Sequence, residues 1–414
     1  MAYEKRVDPN VWSELKLLRR TLINTNDDWA NFGSPSKGRR MTFQGLEAAF
    51  ASPTTNPSLE AGRPQQSALA LLHRWERHST ELRQASKRPY ARLELEIPIV
   101  RRFSFPDMSL VEWTNVPSGK GLFVLAEVSI IHGVAALSDG SPQDAIADAA
   151  IIFKLADALK DNSNLDSKMY RGYIVNVFGT GLFWEGFVQH LWAEEHLLIF
   201  QNQFQSIDLI GDVDAGFRAR EWLNVFNAMD RFAIVSQIYG PLHPIFSEFF
   251  GGEVLRHRWM RDFIFTSYDI KQGLIFPRAT EANDAAYRLD SKGMYEDWGL
   301  AGMFVQDFAR DLRLAAHYQT TVRLATLACA LECHQKSSGR YPERLEELMP
   351  EFIQKVPHEV VNGKPFKYRR LEDGTFTLYS VGWDEHDDGG VASTEKNGKE
   401  TGDWVWFYAA VEPK

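Results

Sequence analysis

The strongest constraint on the fold is a change of hydrophobic period at SSGRYP, residues 337–342. Before this point, long segments repeat apolar residues every three to four positions, which is typical of amphipathic helices. After it, PFKYRR and TFTLYSV alternate at every second position, as strands do. Gly339 and Pro342 are residue types that end a helix. The sequence therefore predicts a mainly α body followed by a small C-terminal α+β domain.

The clearest part of the predicted body is an αα-hairpin. GLFVLAEVSIIHGVAAL and SDGSPQDAIADAAIIFKLADAL both have helical spacing, and they meet at an Asp-Gly turn. Ser141 stands at the predicted N-cap, Pro142 at the first helical position, and Asp144 three residues after the cap. The hairpin resembles tetratricopeptide units, although no regular repeat period follows it. The second helix carries an apolar face of Ala145, Ala149, Ile152, Ala156 and Leu159.

A chain of 414 residues exceeds what one ordinary core accommodates, so we expect several domains. The pattern divides into an N-terminal helical and loop region (1–110), a helical body (111–335) and the α+β tail (336–414). In the tail, RLEELMPEFI predicts a short helix. The Asp-Gly pair in LEDG separates two strands, and DWVWFYA, beginning at Asp403, supplies a third. The tail is therefore predicted to hold a three-stranded antiparallel sheet.

Composition disfavours several classes of protein. The net charge is -9 and no long basic run occurs, so we expect no nucleic-acid partner. No apolar run reaches about 18 residues, so no membrane span is predicted, while an anchor or leader upstream of this chain stays open. Cys329 and Cys333 are four residues apart, which favours two buried thiols over a disulfide or a zinc site.

Linear catalytic motifs do not emerge from the sequence. His190 and His196 are six residues apart, whereas a metalloprotease helix needs a separation of four, so Glu194 and Glu195 are interpreted as surface carboxylates. Neither a phosphate-binding glycine loop nor a nucleophile elbow is found. Two interpretations remain open: a non-enzymatic binding or scaffold protein, and a hydrolase whose active site lies in a helical cleft without a linear motif.

An acidic segment, YSVGWDEHDDGG, joins the second and third predicted strands. Crowded carboxylates repel one another unless a cation lies among them, and Ca²⁺ takes six to eight oxygen ligands from such loops. Gly389 and Gly390 permit the sharp turns that direct carbonyl oxygens inward. The EF-hand pattern is absent, and His386 is expected to face solvent. A solvated acidic turn without an ion is the alternative interpretation.

The ordered set GRYPERLEEL, VP, NGKPFKYRR, TLYSVGWDEHDDGG and GDW resembles the C-terminal part of the major pseudopilin of type II secretion systems. The resemblance covers roughly the last 80 residues and implies a small sheet with a structural calcium loop. Asp384 stands at the family's loop aspartate and Asp403 at the aspartate before the closing strand, with Asp387 and Asp388 between them. Because a long helical body precedes the tail in place of an N-terminal hydrophobic helix, the resemblance implies a borrowed module.

The whole chain also resembles uncharacterised bacterial envelope-type proteins that join a helical body to a tail of this kind. These interpretations together predict a non-enzymatic binding or scaffold protein with a protein partner and a structural calcium ion. The predicted ligands are Asp384, Asp387, Asp388 and Asp403. Calcium is abundant outside the cytosol, so the periplasm or cell envelope is the expected location. The process and the oligomeric state stay open.

Overall fold

The computed structural model describes residues 76–89, 119–161, 165–213, 215–216, 308–396 and 399–406. These residues are mainly helical, with a small antiparallel sheet near the C-terminus, which confirms the predicted fold class. Of the predicted N-terminal region (1–110), only residues 76–89 are described. The helix predicted from the spacing of residues 11–23 and the strand predicted from RLELEI, residues 92–97, therefore lie outside the described residues.

The described residues belong to two compact units. The described residues of the first unit lie within Arg39–Asn162 and Tyr170–His196, and those of the second lie within Ser163–Met169 and Leu197–Lys414. Two helices run across these boundaries, α4 (Leu165–Tyr173) and α6 (Glu194–Gln205). The first unit contains α1 (Glu76–Ser86), α2 (Gly119–Ser138), α3 (Pro142–Asp157), a π-helical turn (Ile174–Gly179) and α5 (Thr180–Val188).

Helices α2 and α3 form the predicted αα-hairpin. Gly140, at the tight turn, has a φ of +76°, and the backbone N–H of Ser141 donates to the carbonyl of Ala136 at 2.8 Å. Ser141 occupies the N-cap position of α3, but its side chain makes no capping hydrogen bond. All five predicted face residues, from Ala145 to Leu159, are buried. The hydrophobic period therefore located the packing face correctly.

Two glycines let the helices of the first unit approach closely. A methyl group built on Gly133 of α2 would come within 2.8 Å of the Leu182 side chain of α5. A methyl group on Gly186 would overlap the indole of Trp192, whose ring N–H donates to the carbonyl of Phe183 at 2.7 Å. The segment YIVNVFGTGLFWEGFV (173–188), which the sequence predicts to be a buried helix because Asn176 and Glu185 interrupt its apolar run, is helical and largely buried.

The second unit combines α7 (Phe308–Ser338) with the sheet. Strands β1 (Lys367–Arg370), β2 (Phe376–Ser380) and β5 (Trp404–Trp406) form an antiparallel sheet in the order β1-β2-β5. A separate hairpin, β3 (Thr394–Lys396) with β4 (Lys399–Thr401), is inserted between β2 and β5. The sequence reading identified the three sheet strands and overlooked this hairpin, although the Asn-Gly pair at 397–398 is a strong hairpin signal.

Helix α7 packs against β2 and β5 over the core of the second unit. The imidazole of His317 meets the ring of Trp404 edge-on at a centroid distance of 5.0 Å, and Trp404 stacks with Trp383 at 6.5 Å. The buried core consists of Ile210, Val213, Ala315, Ala316, Val360, Val361, Trp383 and Trp404. Because Trp383 belongs to the acidic segment and directly precedes Asp384, this core anchors that segment.

The segment after α7 is fastened to the helix by one buried hydrogen bond. Gly339 ends the helix with a φ of +75°, and the Tyr341 hydroxyl then donates to a carboxylate oxygen of Glu332 at 2.8 Å. The predicted helix RLEELMPEFI is limited to one 3₁₀ turn, Leu345–Leu348. Met349 is extended because the following proline disfavours helical backbone at the preceding residue.

Cys329 and Cys333 are both buried and unbridged within α7, as expected from their spacing. Among the described helices, none combines the length and apolar character that crossing a membrane requires.

Candidate site in the acidic loop

The acidic loop, residues 381–393, runs from the end of β2 to the start of β3. Its far end is fastened beside β5: the N–H of Ser393 donates to the carbonyl of Asp403, and the N–H of Asp403 donates to the carbonyl of Val391, both at 2.8 Å. Ala392 and Asp403 form a parallel bridge. The backbone therefore returns the loop to the residue that precedes the closing strand.

The near end of the loop touches the same place. Gly382 and Gly402 both have positive φ, +71° and +100°, and a methyl group on Gly382 would overlap the carbonyl oxygen of Gly402. Glycine is required at such a close approach, because any side chain would meet backbone. Each glycine stands just before a predicted ligand, Gly382 two residues before Asp384 and Gly402 one residue before Asp403.

Asp403 is the buried centre of this arrangement. Its side chain is fully buried, one oxygen accepts from Gly390 N–H at 2.6 Å, and the other accepts from Asp388 N–H at 3.4 Å. Burial raises the pKa of the Asp403 carboxyl, the two backbone donors lower it, and the nearby charges of Asp387 and Asp388 raise it further. The Asp403 carboxylate thus organises the loop, although burial and the charges of Asp387 and Asp388 disfavour its ionised form.

Asp384 bridges the two ends of the loop from the exposed side. One of its oxygens accepts from His386 N–H at 3.1 Å, and the other accepts from Gly402 N–H at 3.2 Å. Asp384 therefore contacts the backbone of Gly402, the residue that directly precedes Asp403.

Asp387 faces a different partner. Its carboxylate lies 3.0 Å from the ammonium of Lys367 and accepts from the Tyr379 hydroxyl at 2.9 Å. The Lys367 contact lowers the pKa of Asp387, whereas burial, followed by the Asp387 hydrogen bond, raises the pKa of Tyr379 to about 12. The Lys367 ammonium therefore already balances the charge of the Asp387 carboxylate.

Asp388 is half-exposed, and its carboxylate lies 3.8 Å from the His386 ring. The His386 side chain is 76% exposed, in agreement with the expectation that it faces solvent. The structure therefore brings Asp384 and Asp403 to the backbone near Gly402 and links Asp388 to Asp403 through its backbone N–H, while the Asp387 carboxylate contacts Lys367.

The oxygen atoms of this loop are of the type that a hard cation binds, but they are not arranged around a common point. Carboxylate and carbonyl oxygens are the ligands that Ca²⁺ prefers. Over the described residues, however, no three side chains of Asp, Glu, His or Cys converge as a metal-ligand group. Asp384 and Asp403 instead accept backbone N–H groups, so a bound cation would require these carboxylates to exchange those partners.

No known protein family, curated protein sequence or solved structure matched this chain. The likeness of its tail to pseudopilins therefore stays a prediction carried by the residues quoted above.

Sequence reasoning missed Lys367 and Tyr379 as partners of the loop. Both lie on the β1–β2 hairpin, where they are directly opposite each other in register. Cross-strand partners on one face lie close together, so the ammonium and the hydroxyl reach the same carboxylate. Counting the register outward from the Asp-Gly turn could have identified the pair.

Glu359 is a second missed residue. It is buried, and its carboxylate accepts from Val381 N–H, at the first residue of the acidic loop, at 3.4 Å. Burial raises its pKa to about 7, although hydrogen bonds from Val381, Ser380 and Asn362 and the charge of Lys367 oppose the shift. No sequence motif marked it.

The structure separates the two clustered histidines, His190 and His196, which do not share a helix. His190 is exposed just beyond the end of α5 with a φ of +54°, whereas His196 is buried near the start of α6, 2.7 Å from the Gln143 amide. Glu194 and Glu195 are exposed, as predicted. Glu253 and His257, which the sequence suggests as a helical pair, lie outside the described residues.

Proposed function

We propose that the protein is a non-enzymatic binding or scaffold protein whose C-terminal domain is closed by a calcium ion in the acidic loop. The helical body would contact a protein partner, and the ion would stabilise the tail without taking part in chemistry. A cell-envelope or periplasmic location belongs to the same proposal, because calcium is plentiful there.

The observation that carries this proposal is the environment of Asp403. The Asp403 carboxylate is fully buried and is repelled by the charges of Asp387 and Asp388. It lies where both ends of the acidic loop meet. Lys367 contacts only the Asp387 side of the group. A divalent cation near Asp384, Asp388 and Asp403 would offset this repulsion and tie the two ends of the loop together.

Exposed apolar side chains support a binding role for the body. Leu198 and Ile199 are adjacent on α6 and are 46% and 44% exposed. Neighbouring large apolar residues on a surface are a feature of protein interfaces, although single ones are common on any surface.

Isothermal titration calorimetry with the full chain tests the calcium proposal. Wild type should bind about one Ca²⁺ per chain with micromolar to millimolar affinity, the range of sensor and extracellular sites. Asp403→Asn and Asp384→Asn should each weaken the binding at least about tenfold, because each removes a charged ligand. Glu372→Gln, at an exposed acid in the β1–β2 turn, is the matched control and should bind like wild type.

Equal binding by all four proteins would refute the assignment of the site, and no binding by wild type would refute the calcium proposal itself. Mg²⁺ should bind more weakly than Ca²⁺ in the same titration, because the smaller ion demands a stricter octahedral geometry.

A further inference from the structure

A single buried carboxylate joins three helices of the first unit. The Asp148 side chain of α3 is 1% exposed, and its Oδ2 lies 2.6 Å from the Nδ1 of His132 on α2. Its other oxygen, Oδ1, lies 3.7 Å from the guanidinium of Arg83 on α1. An imidazole and a guanidinium from different helices therefore share this carboxylate.

Polar contacts link helix α1 and the residues just beyond it to α3. Arg83 also contacts Asp144 at 3.2 Å, and the Lys154 ammonium donates to the carbonyl of Pro89, just beyond α1, at 3.2 Å. The Arg83 side chain is 30% exposed and that of Asp144 52%, so water and salt screen this attachment. Part of the attachment of α1 therefore depends on the local charge.

The charge of His132 changes within the physiological pH range. Its side chain is 24% exposed, so protons reach it from solvent. Burial lowers the pKa of His132, but the hydrogen bond and charge of Asp148 outweigh burial and raise it overall, while Arg83 opposes the rise. Arg83 opposes the protonation of His132. Because linkage is reciprocal, protonation of His132 must destabilise the docked position of Arg83 by the same free energy by which Arg83 disfavours the proton.

The charged groups that act on His132 belong to α3 and α1, and α5 and α2 carry one acidic residue each in the same part of the unit. Asp148 and Asp144 of α3 favour its protonation, and Arg83 of α1 disfavours it. Helix α5 approaches α2 through Leu182, and its charged residue is Glu185, three positions further on. On α2 itself, Glu127 lies five residues before His132.

We propose that His132 is a proton-operated release for α1. When His132 is neutral, the Asp148 carboxylate serves Arg83 and α1 stays docked on α3. When His132 is protonated, it forms an ion pair with Asp148, which weakens the attraction between Asp148 and Arg83. The imidazolium also repels Arg83, so α1 detaches more often. Acidification alone would then expose the surface of α3 that α1 covers at higher pH.

Hydrogen exchange of the α1 peptide tests this proposal in the full chain. After correction for intrinsic exchange rates, the opening of α1 should increase about threefold to tenfold from about pH 8 to about pH 5.5. His132→Gln keeps a side-chain donor for Asp148 but cannot take a proton, so the increase should disappear. His190→Gln, at an exposed histidine of the same unit, should retain it.

Identical opening of α1 at both pH values in wild type would overturn the proposal, and so would an unchanged increase in His132→Gln. A second measurement does not depend on that variant. Arg83→Met should raise the pKa of His132 in an NMR titration, whereas Arg88→Met, just beyond the same helix, should not. A His132 pKa that is unaltered by Arg83→Met would also overturn the proposal.

Discussion

The carboxylate of Asp403 lies 2.6 Å from the backbone nitrogen of Gly390, across thirteen positions of sequence. This hydrogen bond folds the acidic loop back onto the residue that introduces β5. The Asp403 side chain is fully buried, so the loop is organised around an interior negative charge. Stability of the C-terminal domain and cation binding should therefore depend on the same carboxylate.

Closure of the loop requires a glycine at 382. Gly382→Ala should destabilise the C-terminal domain by about 2–4 kcal/mol, because it adds an overlap with the Gly402 carbonyl to the strain of a positive φ. Gly389 has a similar φ of +73° but open space around it. Gly389→Ala should cost only about 1 kcal/mol. Native-state hydrogen exchange of β2 and β5 measures both values, and equal costs would contradict the close approach.

Glu359 should make the C-terminal domain less stable as pH rises. Its folded pKa of about 7 lies above the ordinary value of 4.5, so the folded state binds the proton more tightly. That contribution is complete below about pH 4.5 and is lost as pH rises through about 7. Glu359→Gln stays neutral, so at about pH 8 it should be more stable than wild type by roughly 1–3 kcal/mol.

Chemical denaturation at about pH 5 and about pH 8 gives the comparison for Glu359→Gln. The variant should gain stability mainly at the higher pH. Glu372→Gln, at an exposed carboxylate, should show no such gain. A Glu359→Gln protein that is less stable than wild type at the higher pH would show that the charged form makes favourable contacts.

Local patterns predicted the parts of the fold that depend on neighbouring residues. The 3.6-residue period located the buried face of α3, and the Asp-Gly pair located the β1–β2 hairpin, because both signals are set within a few positions. Pro350 limited a predicted helix to one turn by the same kind of local effect. The Asn-Gly signal for the β3–β4 hairpin was equally local and was overlooked.

The parts that the sequence could not supply depend on tertiary contact. Nothing local to Glu359 indicates that it is buried below Val381, and nothing near His132 indicates that it shares Asp148 with a helix about 50 residues earlier in the chain. Asp384, Asp387, Asp388 and Asp403 were selected together because they lie in one acidic loop that resembles the calcium loop of pseudopilins. The structure separates Asp387 from the others because strand register places Lys367 and Tyr379 next to it.

Tyr341 should contribute through its hydroxyl as well as its ring. Tyr341→Phe leaves the buried Glu332 carboxylate without its donor from Tyr341, which should cost about 1–3 kcal/mol. Tyr368→Phe is the control, since its hydroxyl donates to the carbonyl of Pro342 in a half-buried position and should cost less. A double-mutant cycle with Glu332→Gln isolates the pair, and a coupling near zero would contradict its role in fastening this turn.

Lys367 should compete with a divalent cation for the acidic loop. Without calcium, Lys367→Met should destabilise the domain by less than about 1 kcal/mol, because the pair with Asp387 is half-exposed. With the ammonium gone, calcium should bind more tightly, by about twofold to tenfold. Calorimetric titration compares the two proteins, with Lys355→Met, at an exposed lysine, as a control of equal charge change. Weaker calcium binding by Lys367→Met would refute this competition.

Calcium-dependent hydrogen exchange of the full chain tests the central claim most directly. Saturating Ca²⁺ should slow amide exchange in residues 382–403 relative to chelator and leave α2 and α3 unchanged, and Asp403→Asn should abolish the slowing. Exchange in residues 382–403 that is the same with Ca²⁺ and with chelator would contradict a calcium-closed acidic loop.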